Sequence, residues 1–244
     1  ANLMIGRDLV ECEYEKKESE DEPVIELGNV DFNKTSKHNG LNGVSMMVRK
    51  GEILGIAGLD GNGQSQLSQI VTGVAMAEAG EVVLKGSLVH HVTAADFIEK
   101  NVSHIPEDRN RMGLVGNMTV EENLLLKSTQ KCEFCDLNGW HLKKKAMRAY
   151  SEQMREKYDI RCQGMDQEIR SLSGGNQQKV ILARELEAHP DLLVAVHPTR
   201  GLDIGATRYV RDSMIAARDA GCAVLLISAD FDEVLQLSDR IIVM

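Results

Sequence analysis

Ile53-Leu54-Gly55-Ile56-Ala57 runs without a break into Gly58-Leu59-Asp60-Gly61-Asn62-Gly63-Gln64-Ser65. The first five residues form an uninterrupted apolar run, the pattern of a strand buried on both faces. The next eight form a glycine-rich turn, after which a helix is predicted over about Gln64 to Thr72. Strand, glycine turn and helix together are the setting of a phosphate-binding loop, in which backbone N–H groups and the helix N-terminus form an anion site. The spacing meets G-x-x-x-x-G-K-[ST] at every defined position but one, because Gln64 stands where the lysine belongs. Glutamine can donate hydrogen bonds to phosphate but brings no positive charge to the β and γ oxygens. Ser65 keeps the hydroxyl that would touch Mg²⁺. The candidate nucleotide-binding residues are therefore Gly58, Asp60, Gly61, Asn62, Gly63, Gln64, Ser65 and Gln66, with Ser65 as the candidate Mg²⁺ ligand. A structural strand-to-helix turn without a ligand fits the same spacing.

Outward from this turn, Val24 to Val30 and Val44 to Val48 are short strand-like runs predicted to form a hairpin edge. Strands are predicted over Glu81 to Lys85, Val102 to Ile105, Leu192 to Val196, Ala223 to Ile227 and from Ile241 onward. Between them, helices are predicted over Thr93 to Lys100 with Thr93 as N-cap, Ser173 to about Glu187, Ala206 to Ala220 ended by Gly221, and Phe231 to Leu237. This alternation predicts an α/β fold: a core of mainly parallel sheet with an antiparallel edge. From Glu107 to about Glu168 the character changes. Thr119-Val120-Glu121-Glu122 is a capping-box pattern before Leu124-Leu125-Leu126, and Leu142 to Tyr158 is charged and helically spaced. The expected organisation is a polar lead-in over 1–22, core over 23–106, a helical subdomain over 107–168, and core again over 169–244. The closing run Ile241-Ile242-Val243-Met244 reads as the middle of a strand, so the chain is expected to be a piece of a longer polypeptide.

The 244 residues are 43% hydrophobic and only 4% aromatic, which suits an aliphatic core around a parallel sheet. The formal charge of -9 is a poor match for nucleic acid, which rewards a basic face. Cys12, Cys132, Cys135, Cys162 and Cys222 are odd in number and scattered, so free thiols in a reducing compartment are expected rather than a disulfide framework. Cys132-Glu133-Phe134-Cys135, with His141 nearby, is a lone C-x-x-C and reads as a loop before it reads as a zinc site. No run reaches the roughly 18–20 apolar residues of a membrane-spanning helix. No secretory signal opens the chain, so any membrane role is expected to come through a partner.

Leu172-Ser173-Gly174-Gly175-Asn176-Gln177-Gln178-Lys179 resembles the signature motif of ABC-type ATPases. The resemblance implies that Leu172, Ser173, Gly174, Gly175, Asn176 and Gln177 approach the γ-phosphate of an ATP held by the opposite domain of a dimer. Leu192-Leu193-Val194-Ala195-Val196-His197-Pro198-Thr199-Arg200-Gly201-Leu202-Asp203 resembles the family's Walker B strand and D-loop. Asp203 matches the D-loop aspartate, whereas Val196 stands at the Mg²⁺-associated aspartate and His197 at the catalytic glutamate. His197 is the one candidate base there, against a plain hydrogen-bonding role. Leu225-Leu226-Ile227-Ser228-Ala229-Asp230 is similar to the switch segment, with Ala229 at its histidine. In Ile105-Pro106-Glu107-Asp108-Arg109, Glu107 aligns with the Q-loop glutamine and is the second candidate catalytic residue. Lys34 falls where the adenine-stacking aromatic belongs, and Phe32 reads as core.

Gln64, Val196, His197 and Ala229 are degenerate together while the signature is intact. That pattern is similar to the second ATPase domain of sugar- and nucleoside-type importers that carry two such domains in one polypeptide. The resemblance covers nearly all of residues 24–244, with Pro198 to Ala206 specific to that branch and Gly61 to Ser65 leaning toward its nucleoside members. It implies ATP and Mg²⁺ as cofactors and a first ATPase domain or dimer partner. It further implies transmembrane permease subunits, with a periplasmic or lipoprotein solute-binding protein reached indirectly, and a peripheral place on the cytoplasmic membrane face. Two alternatives stay open at this level: an ABC ATPase not tied to a membrane, and a structural or nucleotide-sensing domain. A free-standing P-loop kinase fits worst, because it needs the absent lysine.

Overall fold

A computed structural model describes residues 14–16, 21–33, 40–59, 61–89, 93–128, 133–136 and 141–244. A five-stranded parallel sheet has the order β6-β7-β8-β3-β9, built from β3 (Ile53–Ala57), β6 (Val102–Ile105), β7 (Leu192–Val196), β8 (Ala223–Ile227) and β9 (Arg240–Val243). A second, antiparallel sheet has the order β2-β1-β4-β5, from β1 (Pro23–Phe32), β2 (Leu41–Arg49), β4 (Ala79–Leu84) and β5 (Ser87–Leu88). The α/β expectation with its antiparallel edge holds. β1 and β2 form the expected antiparallel hairpin with β2 at the sheet's edge, and β1 pairs on its other side with β4.

Period-2 alternation explains why β3, β7 and β8 read as continuous apolar runs. Leu54 and Ile56, Val194 and Val196, and Leu225 and Ile227 pack on one face, with Leu27 and Val48 of the antiparallel sheet. That face also receives Leu67 and Ile70 of α1 (Gln64–Val71) and Phe97 of α2 (Ala94–Glu99). Ile53, Leu193, Ala195, Val224 and Leu226 point the other way, onto α5 (Gly174–Leu186) and α6 (Ile204–Asp219). Each such fully buried side chain contributes about 1.5–3 kcal/mol relative to exposure. α7 (Phe231–Leu237) closes the molecule between β8 and β9.

The 107–168 stretch holds a π-helical turn at Arg109–Gly113, α3 (Val120–Leu125) and α4 (Lys144–Lys157). The capping box forms as its sequence predicts: Thr119 Oγ1 accepts from Glu122 N, and Glu122 Oε2 accepts from Thr119 N at 2.8 Å. Leu124, Met154, Tyr158 and Met165 pack into the same cluster as Leu193 and Leu226, so the insertion shares its core with one face of the parallel sheet. α6 begins two residues before the expected Ala206, because the Asp203 carboxylate accepts from Ala206 N at 2.9 Å and caps the helix there.

Candidate functional site

Four of the motif segments leave the carboxyl edge of the parallel sheet, the edge where open α/β folds bind ligands. Residues 58–65 follow β3, 106–109 follow β6, 197–203 follow β7 and 228–230 follow β8. Gly61 and Gly63 have φ of 95° and 99°, a left-handed backbone that a Cβ would strain, and this turns the loop into α1. Ser65 is exposed in the first turn, with Gln66 half-buried beside it. Gln64 is buried at 7% exposure and its Nε2 donates to the Leu59 carbonyl at 3.1 Å. Its amide closes the loop from within, lying 2.7 Å from where a Cβ on Gly58 would sit. Asn62 Nδ2 donates to the Met244 carbonyl at 3.0 Å. Asp60 and Lys34 lie outside the described residues.

β7 ends in Val196, 2% exposed and packed in the core. His197 follows in a left-handed conformation, φ 45°. Its backbone N donates to the Ile227 carbonyl at 2.7 Å, and its Nδ1 accepts from Ala229 N at 3.1 Å. His197 thus ties the end of β7 to the switch segment after β8. Beneath it, fully buried Glu233 of α7 accepts from Thr199 Oγ1 and Ser228 Oγ, each at 2.8 Å, locking the two loops together. Sequence reading missed Glu233, because Asp230-Phe231-Asp232-Glu233 has the pattern of a solvated helix start. Glu107 is paired with Arg200 at 2.8 Å.

The signature residues gather elsewhere on this edge, against α6 and the insertion. Ser173 caps α5, and its Oγ accepts from Asn176 N at 3.4 Å and Asn176 Nδ2 at 3.0 Å. With both lone pairs engaged, its hydroxyl hydrogen is left to donate outward. Asn176 Oδ1 accepts from Arg161 N at 2.8 Å, Gln177 Nε2 donates to the Ile169 carbonyl at 3.2 Å, and Leu172 is buried. The first turn of α5 carries no acidic side chain to compete with an incoming anion. Gly175 lies against Asp203 and Ala206, so a Cβ there would meet the Ala206 methyl at 3.0 Å. A cavity of about 420 Å³ opens between Ser173, Asn176, Arg161, Lys179, Asp203 and Tyr209. Lys179 donates to Asp159 Oδ2 at 2.7 Å, and this bond holds the Asp159 carboxyl below the usual range.

The phosphate loop fits a nucleotide only through its backbone, since Gln64 is spent on Leu59 and adds no charge. Among the described residues it offers Mg²⁺ a poor set of ligands. That ion is held by one or two carboxylates besides substrate phosphates. Val196 offers none, Glu107 is engaged by Arg200, and Ser65 is left as a single oxygen. Among the described residues no group of three or more His, Cys, Asp or Glu side chains could hold a metal ion. Of the C-x-x-C pair, Cys132 lies outside the described residues and Cys135 is buried. No helix of the described residues is long and apolar enough to cross a membrane.

The architecture is that of an ATP-binding cassette. A nucleotide-free cassette from an ABC transporter superposes with a TM-score of 0.74 at 24% identity, covering 91% of this chain and 87% of that one. The dimeric structure of a bacterial ABC transporter cassette gives 0.73 at 22% identity, covering 90% and 94%. The family model described as ABC transporter matches residues 41–200, and the chain belongs to that family as one of its ATP-binding domains. It is 40% identical over its full length to 47% of the guanosine import ATP-binding protein NupO of Bacillus subtilis. It is 39% identical to 48% of the nucleoside import ATP-binding protein NupA of Lactococcus lactis. It is 36% identical to 47% of a ribose import ATP-binding protein, RbsA, of Clostridium perfringens. The chain spans about half the length of the curated relatives it matches.

Proposed function

We propose that this chain is the second, catalytically degenerate ATPase domain of a two-domain importer ATPase, and that its signature completes the ATP site of a partner domain. The observation that carries the proposal is the contrast between its two half-sites. Where the family needs acids and a histidine, β7 and β8 end in Val196, His197 and Ala229, and His197 is spent as a strut. The signature, in contrast, presents a capped helix start, an outward hydroxyl at Ser173 and an acid-free first turn. Backbone amides of Gly174 and Gly175 with the Ser173 hydroxyl suit a γ-phosphate. Asp203, beside Gly175, links that site to the loop after β7. The partner domain supplies Mg²⁺, the water-orienting acid and the lysine.

The solute class is that of the nucleoside-import relatives, nucleosides ahead of sugars, with recognition lying in permease and solute-binding protein. The division into core over 23–106 and 169–244 and helical subdomain over 107–168 belongs to the same proposal. The helical subdomain takes the permease contact, which places the domain peripherally on the cytoplasmic face. Steady-state ATP turnover checks the assignment. The chain alone is expected to show no Mg²⁺-dependent turnover above background, and turnover is expected on addition of the partner domain. Robust Mg²⁺-dependent turnover by the chain alone would overturn it.

A further inference from the structure

Among the described residues, Arg109 leaves its better hydrogen-bonding edge unused. Half-buried after the Q-loop position, it makes one hydrogen bond among the described residues, from Nη1 to the Arg200 carbonyl at 2.9 Å. No carboxylate of those residues pairs with it: Glu107 is taken by Arg200, and Asp108 Oδ1 accepts from the Asn110 and Arg111 amides. Its Nε is buried and has no acceptor. The edge bearing Nη2 and Nε faces the signature, 2.8 and 3.7 Å from the position a Cβ on Gly174 would occupy. Nη2 also lies 3.8 Å from the corresponding point on Gly201, in the loop after β7. That edge is the one with which arginine takes phosphate or carboxylate through two parallel bonds. A half-buried guanidinium without counter-charge is costly, and an anion arriving in the seam would relieve the cost.

Resting on the trans reading of the signature, we propose that Arg109 is the cationic phosphate-contacting residue of that shared site. Nη2 reaches the terminal phosphate of the partner's ATP past Gly174, whose missing Cβ leaves room for it. The ligand class is a nucleoside triphosphate, and the diphosphate lacks the group that Arg109 reads. Sequence reading passed over the residue because the Q-loop resemblance of Ile105 to Arg109 assigns a duty to Glu107 alone.

The test is equilibrium titration of the full polypeptide with ATP and with ADP, on the parent, Arg109→Gln, Arg109→Lys and Ser173→Ala. Arg109→Gln is expected to weaken ATP about tenfold and leave ADP unchanged, and Arg109→Lys, which keeps the charge without the paired donors, to recover part of the loss. Equal weakening of ATP and ADP without recovery by lysine means that Arg109 only holds the seam, and overturns the proposal. If Arg109→Gln fails to fold, an Arg109→Lys protein with the parent's preference for ATP supports the charge, and one that has lost it overturns it. Should Ser173→Ala leave ATP binding untouched, the trans reading itself fails and Arg109 with it. Should Ser173→Ala weaken ATP while Arg109→Gln does not, only the Arg109 assignment falls.

Discussion

By the resemblance, Gln64 and His197 stand at the phosphate-loop lysine and the catalytic glutamate, and each makes a hydrogen bond to backbone. Gln64 reaches inward to Leu59, and His197 bridges to Ala229. Replacing Gln64 by lysine restores a charge-assisted contact with the β and γ oxygens, about twice as strong as a neutral one. Gln64→Lys is expected to raise the affinity of the chain's own loop for ATP about tenfold, roughly 1.4 kcal/mol, in a calorimetric titration of the isolated chain. An unchanged affinity would mean that something other than the missing charge limits binding. The substitutions themselves were legible in the sequence, because the motif spacing assigns each position a duty. What each replacement does instead was not: the bond from Gln64 to its own loop and the left-handed turn at His197 depend on neighbours after β3 and β8.

At the scale of elements, the signature helix is bound to the rest of the chain by a buried charge cluster. Glu185 of α5 is fully buried, pairs with Lys127 of the insertion and with Arg184, and accepts from the backbone N of His104 on β6. Burial works against its ionisation, but the Lys127 and Arg184 charges win and hold its carboxyl below the usual range. Arg184 reaches on to the carbonyls of Gly113 and Asn123, so helix, sheet and insertion meet at one point. The His104 imidazole lies in the same cluster with a buried, unpartnered Nε2. Burial pushes it down to about 4; Glu185 opposes that shift, and Lys127 and Arg184 add to it. The unfolded chain takes up this proton near 6.5 and the folded chain only near 4. The stability contribution is therefore complete above pH 6.5 and is lost as pH falls toward 4, by about 3 kcal/mol in all. His104→Leu is expected to flatten the Tm-against-pH curve across that window, in thermal unfolding scans of parent and variant. An unchanged slope between pH 6.5 and 5 would remove His104 as the titrating group.

The helices and strands around this cluster were legible from apolar spacing and from the caps at Thr93, Thr119 and Ser173. The cluster was not. Glu185 sits three residues before the stretch Ala188-His189-Pro190-Asp191, and nothing local marks it as buried. Only the approach of Lys127, some 58 positions away, does so. The same reason hid β1's second partner: pairing with β4 is a long-range fact, and an alternating strand reads alike at an edge or in the interior.

For the whole molecule, two faces of one parallel sheet carry different layers, and both half-sites sit on its carboxyl edge. The phosphate loop binds to its own turn and to Met244, while the signature binds to α6, Arg161 and the insertion. On the proposed reading, a chain with this separation closes either half-site only against a second cassette. If the proposal holds, the asymmetry between a weakened loop and an intact signature makes one of two composite sites productive. The most direct measurement is ATP turnover of the full polypeptide carrying Ser173→Ala, set beside the same polypeptide carrying His197→Ala. The account predicts loss of turnover, on the order of a hundredfold, for Ser173→Ala, as for removal of one preorganised transition-state donor, with His197→Ala near the parent rate. The reverse order, turnover that survives Ser173→Ala and collapses in His197→Ala, would contradict it.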